Sequence, residues 1–178
     1  MIKRFMIDQN QKVLRITTNP FFMKPSFIKT PIGSFLAHFK DRYLIKLELV
    51  NSDKKLFLDQ NLQETINQLI KGKISVNELP LNINELEGTE FQKKVWKSLT
   101  KIKYGGTSSY KEIAASINNP SAVRAVGSAC RLNPIPLIIP CQRLLRTDGS
   151  IGKYAFGKKN KYKLLKLESY ESRNRNKK

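Results

Sequence analysis

The stretch Asn133-Pro134-Ile135-Pro136-Leu137-Ile138-Ile139-Pro140-Cys141-Gln142-Arg143 decides how the second half of this 178-residue chain folds. Its three prolines each hold φ at about −65° and together remove three backbone donors. The segment is therefore neither a helix interior nor a central strand, but a rigid connector. Its apolar run Leu137, Ile138 and Ile139 reads as buried, and it delivers Cys141 between Pro140 and the polar pair Gln142 and Arg143. A thiol held stiffly at the mouth of an apolar segment, beside a cation, has the surroundings of a nucleophile. The alternative for Cys141 is a small buried hydrophobe, as most free cysteines are.

Charge is distributed unevenly around this connector. Residues 1–100 carry 16 basic and 10 acidic side chains, whereas residues 101–178 carry 17 and 4. Such a surplus suits a polyanion, of which nucleic acid is the commonest, with salt-sensitive affinity. The alternative is a solvated basic face in an Ile-, Asn- and Lys-rich composition set by genome base bias. Two cysteines and one histidine, His38, cannot build a four-ligand zinc site or a disulfide scaffold, so no metal is expected and a reducing cytoplasm fits. No apolar run approaches the ~18 residues that would span a bilayer.

Outward from the connector, local patterns mark the elements. Phe5, Phe21, Phe22 and Phe27 suggest short strands and turns in residues 1–30. Residues 34–39 and 43–50 flank Lys40-Asp41-Arg42 as a β-hairpin, with Ile45, Leu47 and Leu49 alternating against Lys46 and Glu48. Leu62, Ile66, Leu69 and Ile70 recur at helical spacing, with Gly72 placed as a C-cap. Residues 73–87 read as a linker. Thr89 with Gln92 forms a capping-box pattern ahead of Phe91, Val95, Leu99 and Ile102, with Trp96 beside them. Ser109 with Glu112 repeats the pattern for a short helix, Asn118-Asn119-Pro120 ends it, and Ser121 caps the next helix, which runs to about Leu132. Helix, tight turn, helix is a DNA-reading arrangement. The second helix is slim, with Ala122, Ala125, Gly127, Ser128 and Ala129. Close approach to a minor groove, with Arg124 as the one long arm, accounts for that, and so does tight packing on its neighbours. Asp148-Gly149 centres a hairpin over residues 144–154. A last helix, about residues 158–171, carries Tyr162, Leu164, Leu165 and Glu168, and a basic tail from Arg173 is expected to be disordered.

Several blocks in order, Ser-Tyr-x-x-Ile-Ala, Arg-Ala-Val-Gly-x-Ala, Asn-Pro-x-Pro, Pro-Cys-x-Arg, Gly-x-Tyr-x-x-Gly and Leu-Leu-x-x-Glu, closely resemble the O6-alkylguanine-DNA alkyltransferase family. The resemblance covers Gly88 to Glu168, and Thr30-Pro31-Ile32-Gly33 with its hairpin is similar to the family's N-terminal domain. It implies an α/β + α fold: an N-terminal ribonuclease H-like α/β domain over residues 1–86, then a helical, winged helix-turn-helix alkyltransferase domain over 87–172, then the tail 173–178. It also implies a single-turnover DNA repair protein, a cytoplasmic monomer, that binds double-stranded DNA carrying alkylated bases. The alkyl group would move from O6-alkylguanine, with O4-alkylthymine as a lesser substrate, onto Cys141 without a cofactor. By the same resemblance, Arg124 fills the hole in the base stack, Tyr110 rotates the phosphate and assists the leaving group, Lys161 supports Tyr110, and Asn133 braces the turn. Ser121, Ala125 and Arg131 would join them at the DNA, and Pro136, Cys130, Tyr154, Ala155 and Phe156 would surround the base. Cys130 would pack there rather than react. Phe156, where some relatives have glycine, is expected to disfavour benzyl-sized substituents.

The departure lies beside the nucleophile. The family's motif is Pro-Cys-His-Arg, its histidine oriented by a glutamate that aligns with Glu168, and this chain has Gln142 instead. A glutamine amide can hold a water but cannot take its proton near neutral pH. Either Cys141 still accepts the alkyl group, more slowly, its thiolate favoured by Arg143 and nearby N–H groups, or the scaffold binds and flags the lesion without efficient transfer. An ordinary helix-turn-helix regulator would use the same charge but leaves Cys141 and Asn133 without a task.

Overall fold

The computed structural model describes residues 25–50 and 58–168. Readings that fall on Phe5, Phe21, Phe22, the end of the last helix or the basic tail lie outside these residues.

Three antiparallel strands come first, in the order β1 (Ser26–Thr30), β2 (Gly33–Lys40), β3 (Tyr43–Val50). The β2–β3 hairpin turns at Asp41, whose φ of 53° lies in the left-handed region that aspartate tolerates. Its buried face differs from plain alternation. A register shift between His38 and Phe39 leaves Ile45 unpaired, so that Leu44 and Leu47 enter the core while Leu49 is 40% exposed. A bulge adds one residue to one strand and moves every side chain beyond it to the other face. His38 sits on β2 with its Nε2 3.2 Å from the Glu48 carboxylate, remote from the cysteine chemistry.

Helix α1 (Gln60–Ile70) is capped by Asp59, which accepts from Leu62 N, and it buries Leu62, Ile66 and Leu69. Gly72 follows with φ 67°, and a Cβ there would come within 2.5 Å of the Tyr104 ring, so both backbone and space demand glycine. Residues 73–87 are a packed connector rather than a linker. Two 3-10 turns, Val76–Glu78 and Ile83–Glu85, bury Leu79 and Leu86, and Leu44 N donates to Pro80 O. The apolar residues among the polar ones, too sparse for periodicity, supply the anchors.

Helix α2 (Glu90–Leu99) starts at the Thr89–Gln92 capping box, and α3 (Tyr110–Ser116) at the Ser109–Glu112 box. Helix α4 (Val123–Arg131) departs from expectation at its start: Ala122 is the N-cap, and the Ser121 hydroxyl instead donates to Asn119 Oδ1. Trp96 is fully buried and its indole N–H donates to Ala129 O at 2.9 Å, fastening α4 to α2. The small residues of α4 thus serve packing on one side, with Val126 and Ala129 buried, and leave Arg124, Ser128 and Arg131 exposed on the other. Past the proline-rich connector, β5 (Leu144–Leu145) pairs in parallel with β4 (Ser108–Ser109). The hairpin expected over residues 144–154 is reduced to its turn. Arg146 N donates to Ser150 O around Asp148 and Gly149, and no returning strand forms among the described residues. Helix α5 (Gly157–Leu167) closes the described chain, and no described helix is long and apolar enough to cross a membrane.

A single cluster of buried side chains joins sheet and helices. Phe35 of β2, fully buried, meets Phe156 edge-on at 5.4 Å, and Phe156 meets Tyr154 at 5.6 Å. Leu47 N donates to Pro134 O, and the Lys163 ammonium to Pro31 O, across the same seam. Truncation of Phe35 to alanine is expected to cost about 3–5 kcal/mol of stability, as large-to-small changes at packed aromatics do. Urea unfolding of the Phe35→Ala variant checks this; a loss below about 1 kcal/mol would mean that the seam carries no packing energy.

Candidate active site

One side chain bridges the proline-rich connector at three points, beside backbone bonds such as Ile139 N to Ile135 O. Asn133 accepts from Ile135 N through Oδ1 at 3.0 Å, while its Nδ2 donates to Ile139 O at 2.8 Å and to Cys141 Sγ at 3.2 Å. These bonds replace ladder contacts that the prolines forbid. Leu137, buried with φ 73°, reverses the chain between them, a conformation that a bulky residue adopts only when its surroundings enforce it. The reversal turns Ile138 and Ile139 into the core and leaves Cys141 at the start of a 3-10 turn, Cys141–Arg143, only 4% exposed.

Above Cys141 opens a cavity of about 860 Å³. One wall is α4, from which Arg124, Gly127, Ser128 and Arg131 face the space at helical spacing. Tyr110, the first residue of α3, forms a second wall, and the loop carrying Gly152, Tyr154 and Ala155 forms a third. Of the residues expected around the base or at the DNA, Tyr110, Arg124, Cys130, Arg131, Tyr154 and Ala155 line this cavity with Cys141. Ser121 and Ala125 are exposed beside it. Pro136 and Phe156 do not line it: Pro136 is buried in the connector, and Phe156 turns away to meet Phe35. The narrowing expected from the Phe156 ring therefore has no basis in this geometry, because its edge contacts spend the ring on the sheet. Gly152, the first residue of the Gly-x-Tyr-x-x-Gly block, also lines the cavity, as do Arg146 and Lys153, which belong to none of the quoted blocks. A Cβ at Gly152 would lie 2.9 Å from the Tyr110 hydroxyl.

Burial dominates the electrostatics. It pushes the Cys141 thiol up, opposed by the Asn133 hydrogen bond and by the Lys161 charge. Lys161 on α5 is completely buried, donates to Leu144 O and stands 5.8 Å from the Tyr110 ring centre. Burial lowers its ammonium to about 8, against the favourable pull of Cys141 and Cys130. Tyr110 is raised to about 12 by burial and then by the two cysteines, so it is a protonated donor at neutral pH. Burial also raises Cys130 and Tyr154, which keeps Cys130 a thiol and leaves it packed in the cavity wall.

Residues 90–170 match the family model described as 6-O-methylguanine DNA methyltransferase, DNA binding domain. A methylated-DNA–protein-cysteine methyltransferase of Methanosarcina barkeri is 41% identical over 151 residues, which cover 79% of this chain and 94% of that protein. The chain belongs to the O6-methylguanine DNA methyltransferase family. The inducible methyltransferase of Bacillus subtilis is likewise 41% identical, over 70% of this chain and 66% of its own length. The crystal structure of Mycobacterium tuberculosis OGT in complex with DNA superposes with a TM-score of 0.69 at 34% identity, covering 81% of this chain and 92% of that one.

Within this family member, the residues behind the cysteine form a closed network. Gln142 Nε2 donates to Glu168 Oε1 at 3.1 Å, and Arg143 Nε donates to Glu168 Oε2 at 2.6 Å. Arg143 Nη1 donates to Ile102 O at 2.6 Å, and the guanidinium lies 5.7 Å from the Tyr104 ring centre. Arg143 is thus not the cation that favours the Cys141 thiolate: its charge is matched by Glu168, and Lys161 takes that place. Gln142 Oε1 is buried without a hydrogen-bond partner among the described residues, and the side chain offers no titrating nitrogen.

Two outcomes follow from this geometry. Gly152→Ala displaces the Tyr110 phenol, and alkyl transfer measured at saturating DNA should slow by about tenfold or more, since misplacement by an ångström costs up to about 10². An unchanged rate would show that Tyr110 needs no fixed position. In Lys161→Met the Cys141 thiol should titrate higher than in the parent, followed by alkylation with iodoacetamide across pH in a Cys130→Ala background. An equal or lower titration midpoint would remove Lys161 from the account.

Proposed function

We propose that this protein repairs DNA by moving an alkyl group, methyl foremost, from O6 of a guanine in duplex DNA onto Cys141 Sγ, once per molecule. The observation that carries this is the placement of a braced, buried thiol at the floor of a cavity roofed by Arg124 and Tyr110. A base must leave the stack before its O6 substituent can reach that floor, at a cost of roughly a few kcal/mol. Arg124, exposed at the start of α4, is the side chain that offsets this by entering the vacated stack. Ser121, Ala125 and Arg131 lie along the same edge and meet the backbone.

In the transfer, the S–C bond forms as the O6–C bond breaks. The thiol releases its proton to water, the guanine leaving as a neutral base takes one from the Tyr110 phenol, the donor in reach of the cavity, and water returns a proton to Tyr110, so that the net transfer is of one proton from sulfur to guanine. Lys161 stabilises the thiolate electrostatically. Asn133 orients Sγ and the turn, and Tyr154 and Ala155 wall the base. Gln142 and Glu168 fix the turn from behind and do not move the proton. The alkyl group is the electrophile and cysteine the final acceptor, so no cofactor is required.

The fold reading that accompanies this function divides the chain at residue 86. The antiparallel sheet, α1 and the parallel bridge of Phe27 with Leu58 support a ribonuclease H-like first part. The pair α3 and α4, with the turn at Asp148-Gly149 as a shortened wing, supports a winged helix-turn-helix second part. We place the protein in the cytoplasm as a monomer acting on chromosomal DNA.

Gln142 favours one second reading, a lesion-binding protein that flips and flags the base without efficient transfer. Intact-protein mass after incubation with duplex carrying one O6-methylguanine separates the two. The wild type should gain one methylene equivalent and the Cys141→Ala variant none. Gln142→His should react faster by about 10²-fold, the low end of what a general base contributes. Tight lesion binding by the wild type without any mass gain would establish the second reading.

A further inference from the structure

A second groove, of about 550 Å³, lies on the flank of the first and shares Arg146 with it. It runs between the turn that carries Ser150 and Ile151 and the first turns of α5, where Lys158, Lys159 and Tyr162 form its other side. Arg146, Lys158 and Lys159 are exposed, and Tyr162 is 46% exposed. Among the described residues the nearby acid is Asp148, which accepts from Ser150 N at 2.9 Å and attracts Arg146, so that Lys158 and Lys159 are the cations left without a described carboxylate partner.

The position of the lysines is what helix physics does not explain. The first turn of a helix carries partial positive charge and favours acids, whereas α5 opens with Lys158 and Lys159 and has no acid in its first turn. Neither lysine ion-pairs with a described carboxylate in the way that Lys40 pairs with Glu85. Two cations at the positive end of a helix, facing a third across a groove, repel one another and the helix dipole. An external polyanion converts that repulsion into binding. The groove leads out of the cavity mouth by way of Arg146, so the occupant that fits is the chain of phosphates that continues from the flipped nucleotide. Ser150 and Tyr162 bear hydroxyls of the kind that contact phosphate oxygens.

We infer that the groove between residues 146–151 and the start of α5 is an auxiliary contact for the DNA backbone flanking the lesion. The inference rests on the reading that the chain acts on duplex DNA, yet it concerns affinity rather than chemistry. Each phosphate neutralised contributes about −0.9 to the slope of log K against log salt.

The test measures binding of a labelled lesion-free duplex across a salt series for the wild type, Lys158→Ala/Lys159→Ala, and Lys71→Ala/Lys73→Ala. The last variant removes the same charge outside the groove. The groove variant should lose about two from the magnitude of the slope, with the deficit largest at low salt, while the Lys71/Lys73 variant keeps the wild-type slope. Transfer at saturating O6-methylguanine duplex, read by intact mass, should proceed at the wild-type rate in the groove variant. An unchanged slope in the groove variant overturns the proposal, as does an equal loss in both variants, which would mean only a diffuse field. Absence of transfer in every protein, including the wild type, would instead count against the repair reading and leave the salt slopes to decide the groove.

Discussion

Everything at the site depends on the three hydrogen bonds of Asn133. The connector contains Pro134, Pro136 and Pro140 and a buried leucine at positive φ, so its own backbone, with bonds such as Ile139 N to Ile135 O, holds it only in part. One carboxamide offers two donors and an acceptor, and here it uses them on Ile135 N, Ile139 O and Cys141 Sγ. Each bond contributes about 1 kcal/mol on balance, and an unpaired buried group would cost about 1–3 kcal/mol, so the brace is modest in energy and decisive in geometry. It fixes the sulfur, and the sulfur fixes where an electrophile must arrive.

The charges around the sulfur are sorted by partner. Glu168 is occupied by Arg143 and Gln142 on one side of the turn, which leaves that side electrically quiet. Among the described residues Lys161, buried and held on the Leu144 carbonyl, supplies positive charge to the thiol, beside the Asn133 amide and the backbone N–H groups of Cys141 and Gln142. Burial works against ionisation of Cys141 and of Lys161 alike, and each ion relieves part of the cost of the other. A histidine at position 142 would add a titrating nitrogen to this arrangement, whereas the amide contributes only shape. On the proposed reading, chemistry at Cys141 rests on position and on the Lys161 ammonium rather than on a proton relay.

Much of this was legible in the sequence because local signals agreed with the fold. The capping boxes at Thr89 and Ser109, the Asp41 hairpin and the proline-rich connector all stand where their residues place them. What escaped depends on contacts between distant segments. The bulge at Ile45 is set by pairing with β2, Leu79 and Leu86 are buried by neighbours that no local period reveals, and the turn at Asp148-Gly149 has no returning strand among the described residues. The resemblance puts Phe156 against the base, yet the ring is taken by Phe35, more than a hundred residues earlier in the chain. Arg143 was read as the partner of Cys141 from adjacency, whereas a 3-10 turn sends neighbouring side chains in different directions, and Lys161, twenty residues on, reaches the site from α5. The resemblance assigned roles, and only tertiary packing could assign the charges.

The most direct test of this account is the single-turnover rate of methyl transfer to Cys141 as a function of pH between about 6 and 9, in the wild type and in Gln142→His. If the thiol is raised by burial and no base stands beside it, the wild-type rate should climb from pH 6 and lose steepness near 8, where Lys161 gives up its proton, and Gln142→His should be faster at neutral pH with an inflection near the imidazole value of about 6.5. A wild-type rate that is already level from pH 6 upward would mean that the thiol is ionised throughout the range. That result would contradict a thiol raised by burial with no base beside it.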